Sequence, residues 1–193
     1  MKILFATNNL HKLEEVQAII GNQFDIQTLE EVGLYEDIPE TGDTFEANAK
    51  QKSDYLVDKL NMDCFADDSG LEIDALHGEP GVYSARYSGS RDMEKNIELV
   101  LQKMEGITDR SARFRTVISL QLDAQNYFFE GAIEGTIINS KVGTKGFGYD
   151  PIFIPNGYDK TFAEMSADEK NSISHRAIAV KKLAEFLSET KKS

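Results

Sequence analysis

The sequence predicts an α/β protein built on a mixed β-sheet. Two stretches carry that expectation. Near the start, a compact apolar strand over Lys2 to Ala6 runs through Thr7-Asn8-Asn9 into an amphipathic helix, the unit from which parallel pairing grows. In the later half, Ala112 to Leu122 and Tyr127 to Ile138 read as strands on either side of Asp123-Ala124-Gln125-Asn126, a hairpin turn. An antiparallel pair beside strand–helix units argues for a mixed sheet rather than a fully parallel one. The 193 residues favour one domain spanning the chain, with room for two lobes, and a 40 % hydrophobic content is normal for a globular core.

Composition narrows the function classes. A net charge of −12 repels nucleic acid and anionic membranes, so an anionic ligand needs local Lys and Arg or a metal ion. Cys64 is the single cysteine, which excludes an intrachain disulfide and points to a reducing compartment. His11, His77 and His175 show no zinc-type spacing. No stretch approaches the ~20 apolar residues of a membrane span, and the apolar run at Met1 to Phe5 is too short for a signal peptide. The expectation is a soluble cytoplasmic protein that binds neither nucleic acid nor membrane.

In the first helix, Leu10, Leu13, Val16, Ile19 and Ile20 share one face, an Asn precedes it as N-cap, and Gly21 or Asn22 ends it. Lys12 lies in the first turn, where its charge opposes the helix dipole. A phosphate bound at the helix N-terminus would remove that conflict; the other reading is an ordinary surface lysine. Phe24 to Leu29 alternates like a half-buried strand, and Glu30 to Glu40 is an acidic loop closed by Pro39-Glu40-Thr41-Gly42. Asp43 or Thr44 caps a second helix with Phe45, Ala49, Tyr55, Leu56 and Leu60. Lys50 and Lys52 lie on it, either on a solvated face or at a site, and Glu40 near its start is a candidate metal ligand or a dipole-compensating residue.

The chemistry centres on Phe65-Ala66-Asp67-Asp68-Ser69-Gly70-Leu71, where an apolar run from Met62 to Ala66 reads as the end of a buried strand. Neighbouring carboxylates at a strand end suit a hard divalent cation and a general base. The competing reading is a solvated turn, since Asp, Ser and Gly all form turns. Gly78 to Gly89 reads as an ordered loop, and Met93, Ile97, Val100, Leu101 and Met104 mark a helix. Gly143 to Pro151 carries three glycines with Phe147 and Tyr149, either presenting a ring to a flat ligand or plugging the core with Phe147. It matches neither G-x-x-x-x-G-K-[ST] nor G-x-G-x-x-G. Ser166-Ala167-Asp168-Glu169 fits a capping box. Lys170 and His175 cannot share a face of one unbroken helix, which places a break between Asn171 and Ser174.

Six stretches in order resemble the inosine triphosphate pyrophosphatase family. They are Thr7-Asn8-Asn9-Leu10-His11-Lys12, Glu40 to Ala49, Ala66 to Leu71, Pro80 to Tyr87, Gly146-Phe147-Gly148-Tyr149-Asp150-Pro151, and Glu169-Lys170-Asn171 with Ser174-His175-Arg176. They span nearly the whole chain. The resemblance implies an elongated two-lobed α/β protein with a long mixed sheet flanked by helices and a central substrate cleft. It also implies a homodimer that hydrolyses non-standard purine nucleoside triphosphates (ITP, dITP, XTP) to the monophosphate and pyrophosphate, using Mg²⁺. By the same resemblance, Thr7 to Lys12 hold the triphosphate, Asp68 accepts the proton of the attacking water, and Glu40 and Asp68 bind the metal. Lys52 neutralises phosphate charge and Ser69 contacts substrate. Phe147, Gly148, Tyr149, Asp150, Lys170, His175 and Arg176 form the nucleoside pocket. Three other readings are a nucleotide sensor without turnover, a pyrophosphatase for modified pyrimidines, and an aspartyl-phosphate phosphatase. The last wants D-x-D after a strand, where this chain has adjacent acids.

Overall fold

The computed structural model describes residues 2–190. Its six strands are β1 (Lys2–Phe5), β2 (Asp25–Gln27), β3 (Cys64–Ile73), β4 (Ser111–Leu122), β5 (Gln125–Ile137) and β6 (Phe153–Pro155). The helices are α1 (Leu10–Ile20), α2 (Phe45–Leu60), α3 (Met93–Lys103), α4 (Ala167–Ile173) and α5 (His175–Thr190). The strands form one sheet in the order β2-β1-β3-β4-β5-β6. β1 pairs in parallel with both β2 and β3, whereas β5 and β6 are antiparallel. Asp123 and Ala124, both at positive φ, make the two-residue connection from β4 to β5, so the mixed sheet expected from the sequence is present.

The chain divides into two compact units, the first from residues 2–68, 116–131 and 176–190, the second from 69–115 and 132–175. In the first unit, strand alternation sorts β1 and β3 into two faces. Ile3, Phe5 and Phe65 pack with Val16 and Ile20 of α1 and with Ala179, Val180, Leu183 and Leu187 of α5. Phe5 and Phe65, partners in the β1–β3 register, stack with ring centroids 4.5 Å apart. Leu4, Ala6, Cys64 and Ala66 point the other way and pack with Leu29, Leu34 and Leu56 of α2. In the second unit, Leu71 and Ile73 join Ile97 and Val100 of α3, and Met104 just past its end, with Phe114, Phe153 and Phe162.

Several local expectations hold. Asn9 caps α1 with bonds from the His11 and Lys12 amides, Thr44 caps α2, and Ser166 with Glu169 closes a capping box on α4. The break before His175 falls at Ser174. Others are corrected. Leu10 is 71 % exposed rather than on the buried face of α1, because the helix has barely begun there and Val16 and Ile20 supply its anchors. Only Asp25–Gln27 of the second expected strand pairs. The largest correction concerns Asp67-Asp68-Ser69-Gly70. It is neither a turn nor a strand end: it lies in the middle of β3, with both acids buried. Turn-forming composition is overridden there by sheet pairing on a buried strand.

Candidate active site

Strand geometry gives the two carboxylates of β3 different neighbours. Successive side chains point to opposite faces, so Asp67 follows Phe65 toward α1 and α5, and Asp68 follows Ala66 toward α2. Lys12 of α1 places Nζ 3.1 and 3.0 Å from the two carboxylate oxygens of Asp67. Arg176, at the start of α5 and almost fully buried, donates from Nε to Asp67 at 3.4 Å and from Nη1 to Glu15. Burial alone would raise the Asp67 pKa, but Lys12, Arg176 and Lys52 outweigh it and hold the carboxyl well below the usual range. Burial lowers the pKa of Lys12 despite Asp67. The conflict of Lys12 with the α1 dipole is therefore met inside the protein, by a carboxylate.

On the other face, Asn48 donates to Asp68 Oδ2 at 2.9 Å. Lys52, one turn further along α2, donates to Glu40 Oε1 and to the Asp67 carbonyl oxygen, both at 2.5 Å. Burial works against the Lys52 charge, yet Asp68, Glu40 and Asp67 together raise its pKa, so it stays an ammonium. Burial raises the Asp68 pKa, only partly offset by Lys52, Lys12 and the Asn48 bond, which makes it the more basic of the two neighbouring acids. Of the two helix lysines, Lys50 is the solvated one, paired with Asp54, and Lys52 is the buried one.

Lys12, Lys52 and Arg176 thus face Glu15, Glu40, Asp67 and Asp68, one carboxylate more than there are cations. Among the described residues no group of three or more His, Cys, Asp or Glu side chains is arranged to hold a metal ion. Glu40 and Asp68, gathered around one lysine, offer the hard oxygen donors that suit Mg²⁺, an ion that takes one or two carboxylates and completes its shell with phosphate and water. At the N-terminus of α1, Thr7 Oγ1 accepts from the Asn9 amide at 3.1 Å, while Asn8, Asn9, Leu10 and His11 are exposed.

The second unit organises the other expected residues. Asp150 is buried, and its Oδ2 accepts from the Phe147 amide at 2.9 Å and from Lys170 Nζ at 2.7 Å. Lys170 Nζ lies 4.8 Å from the Phe147 ring centroid, and Phe147 is half-buried. Gly146, at φ 74°, is required: a Cβ there would lie 2.1 Å from Asp150 Oδ2. Tyr149 is buried, with its hydroxyl donating to the Ser84 carbonyl oxygen at 2.8 Å, and His175 stacks on Phe114 with centroids 4.9 Å apart. Ser69 is half-buried in β3 and Gly148 flanks Phe147. The structure therefore groups Phe147, Asp150 and Lys170, but it places Arg176 in the first unit with Asp67 and Glu15. The sequence reading assigned no role to Asn48 or Glu15. The signal for Asn48 was its position four residues before Lys52, on the same helical face.

The fold and this centre define a class: mixed α/β proteins with a cluster of lysine, arginine and carboxylate side chains about a central strand. The chain belongs to the Ham1 family, which it matches over residues 3–186. It is 50 % identical over 192 residues to a protein of Flavobacterium johnsoniae named dITP/XTP pyrophosphatase, covering 99 % of this chain and 100 % of that one. A protein of the same name from Bacillus subtilis is 47 % identical over 189 residues, 95 % of this chain and 96 % of its own. The solved Ham1 protein of Staphylococcus aureus superposes with a TM-score of 0.90 at 43 % identity, covering 98 % of this chain and 100 % of that structure. The family resemblance read from the six sequence stretches is borne out. Among the described residues no helix is long and apolar enough to cross a membrane.

Proposed function

We propose that the protein hydrolyses non-standard purine nucleoside triphosphates, dITP, XTP and ITP, to the monophosphate and pyrophosphate, with Mg²⁺, and so removes them from the nucleotide pool. The observation that carries the reading is the pair of carboxylates in β3: Asp67 is held as an anion by Lys12 and Arg176, and its neighbour Asp68 is made more basic by burial. Asp68 takes the proton of the water that attacks the α-phosphorus. Lys52, held charged, and Lys12 stabilise negative charge that spreads over the phosphoryl oxygens. Mg²⁺, when bound to Glu40 and Asp68, adds charge neutralisation and a template for the phosphates. Phe147 is the ring proposed to stack on the base; its amide and Lys170 both donate to Asp150. The relatives named dITP/XTP pyrophosphatase support the choice of substrate class.

Hypoxanthine and xanthine carry a 6-oxo acceptor where adenine carries a 6-amino donor. A donor at that position, the role the resemblance gives Arg176 or protonated His175, pairs with the oxo group and meets a second donor in adenine, a mismatch worth as much as ~10⁴ in discrimination. The test is turnover of dITP, XTP, ITP, GTP and ATP with Mg²⁺, with pyrophosphate and orthophosphate measured separately. Pyrophosphate from dITP and XTP, well above ATP, is expected; orthophosphate as the first product would overturn the reading. The resemblance adds a homodimer and a cytoplasmic location, which sedimentation and cell fractionation test.

A further inference from the structure

We infer that Asn48 is a positioning residue that sets the orientation of the Asp68 carboxylate and ties it to the segment carrying Glu40. The reaction it serves is the one proposed above; the geometry stands by itself. Asn48 lies one turn into α2 and is 1 % exposed. Asparagine is a poor residue for a helix interior, and burying a primary amide is costly unless both ends are bonded. Here both are: Nδ2 donates to Asp68 Oδ2 at 2.9 Å, and Oδ1 accepts from the Gly42 amide at 2.7 Å. The partners also decide which end of the amide is which, since a carboxylate takes a donor and an N–H takes an acceptor.

Asn48 and Lys52, one turn apart on α2, bind the same two segments. Asn48 joins Gly42 to Asp68, and Lys52 joins Glu40 to the Asp67 carbonyl oxygen. The seat is tight. A Cβ on Gly42 would lie 2.7 Å from Ala47 Cβ and 2.9 Å from Asn48 Oδ1. The two links differ in kind. Lys52 brings charge, whereas Asn48 is neutral and brings direction: its donor holds Oδ2 of Asp68 toward α2 and stops the carboxylate from turning. Asparagine suits this place because aspartate lacks the donor, leucine lacks both groups, and serine is too short to span them.

Asn48→Asp separates the two links. It keeps the volume and an acceptor for the Gly42 amide but sets a carboxylate against Asp68 in place of the donor. The neutral Asn48→Ser, too short to reach Asp68, is therefore the control that removes the donor without adding charge. Three quantities are measured on wild type, Asn48→Asp and Asn48→Ser: kcat for pyrophosphate release from dITP with Mg²⁺, dITP affinity by calorimetry in EDTA, and the melting curve by circular dichroism. Partners that orient a metal-binding or reacting group typically carry about 10–100-fold of activity. The expected result for Asn48→Ser as well as Asn48→Asp is a fall of that size in kcat, with dITP affinity within about threefold and a cooperative melt; a fall in Asn48→Asp alone is charge repulsion and overturns the inference. A fall of less than about tenfold, or a loss of affinity that matches the loss of kcat, overturns the inference. Should one variant not melt cooperatively, the other is judged on the same criteria. Wild type failing to release pyrophosphate would overturn the proposed function; an active wild type with unaffected variants would overturn only the role of Asn48.

Discussion

Replacing Asp67 with Asn keeps the shape of the side chain and removes the charge that Lys12 and the buried Arg176 face. Lys12 Nζ lies 3.0 Å from Asp67 Oδ2, and Arg176 Nε lies 3.4 Å from the same oxygen. Breaking a buried ion pair by removing one partner costs about 3–5 kcal/mol. Two features favour the low end. Arg176 keeps Glu15, and the Lys12 side chain is 15 % exposed, so it retains some hydration. The expected loss is therefore about 3 kcal/mol, and for a chain of this size each kcal/mol moves the melting midpoint by about 2–4 °C, a fall of about 6–12 °C in all. The pH dependence provides a second reading. Burial would raise the Asp67 pKa, but its cations outweigh burial and depress it. An acid depressed in the folded state contributes its stability in full above its unfolded pKa of about 3.9 and loses it as the pH falls toward the folded value. The gap between wild type and Asp67→Asn should thus be constant near neutrality and shrink below about pH 4. Melting curves from pH 3 to 7, with urea denaturation at pH 7, measure both. A midpoint within about 2 °C of wild type at pH 7, or a gap that does not narrow in acid, would refute the assignment of Asp67 as the anion that holds the cluster together.

Asp68→Asn should lower kcat by at least ~10² while the protein stays folded, and by more than Asp67→Asn does; a near-wild-type rate contradicts its role as base. Because burial raises the Asp68 pKa, its ionised form costs stability as the pH rises through the folded value, so Asp68→Asn should melt no lower than wild type at neutral pH. Phe147→Ala should raise KM for every purine nucleotide with little change in the ITP/ATP ratio of kcat/KM, since stacking is blind to the exocyclic group; a selective loss of ITP would contradict this. Arg176→Ala should narrow the ITP/ATP ratio, and an unchanged ratio measured on the same panel places the donor elsewhere. Removing Mg²⁺ with EDTA should abolish turnover, with recovery on adding Mg²⁺ back; undiminished rates in EDTA would rule the metal out.

Much of this protein is written in short-range signals. The caps at Asn9, Thr44 and Ser166, the stop at Ser174 and the hairpin at Asp123 and Ala124 each depend on residues a few positions apart, so sequence inspection finds them. The six ordered stretches likewise identify the family without coordinates. The centre is different, because burial and long-range pairing set it. Arg176 reaches Asp67 across a sequence separation of 109 and Lys12 reaches it across 55. Local composition marks Asp67-Asp68-Ser69-Gly70 as a turn, and sheet pairing makes it the inside of a strand. That change sends two adjacent carboxylates to opposite faces, one toward cations that keep it ionised and one toward Asn48 with its proton affinity raised. A string of residues records that both acids are present. Which of them holds a proton more tightly follows from the charges and the low-dielectric surroundings that folding brings to each.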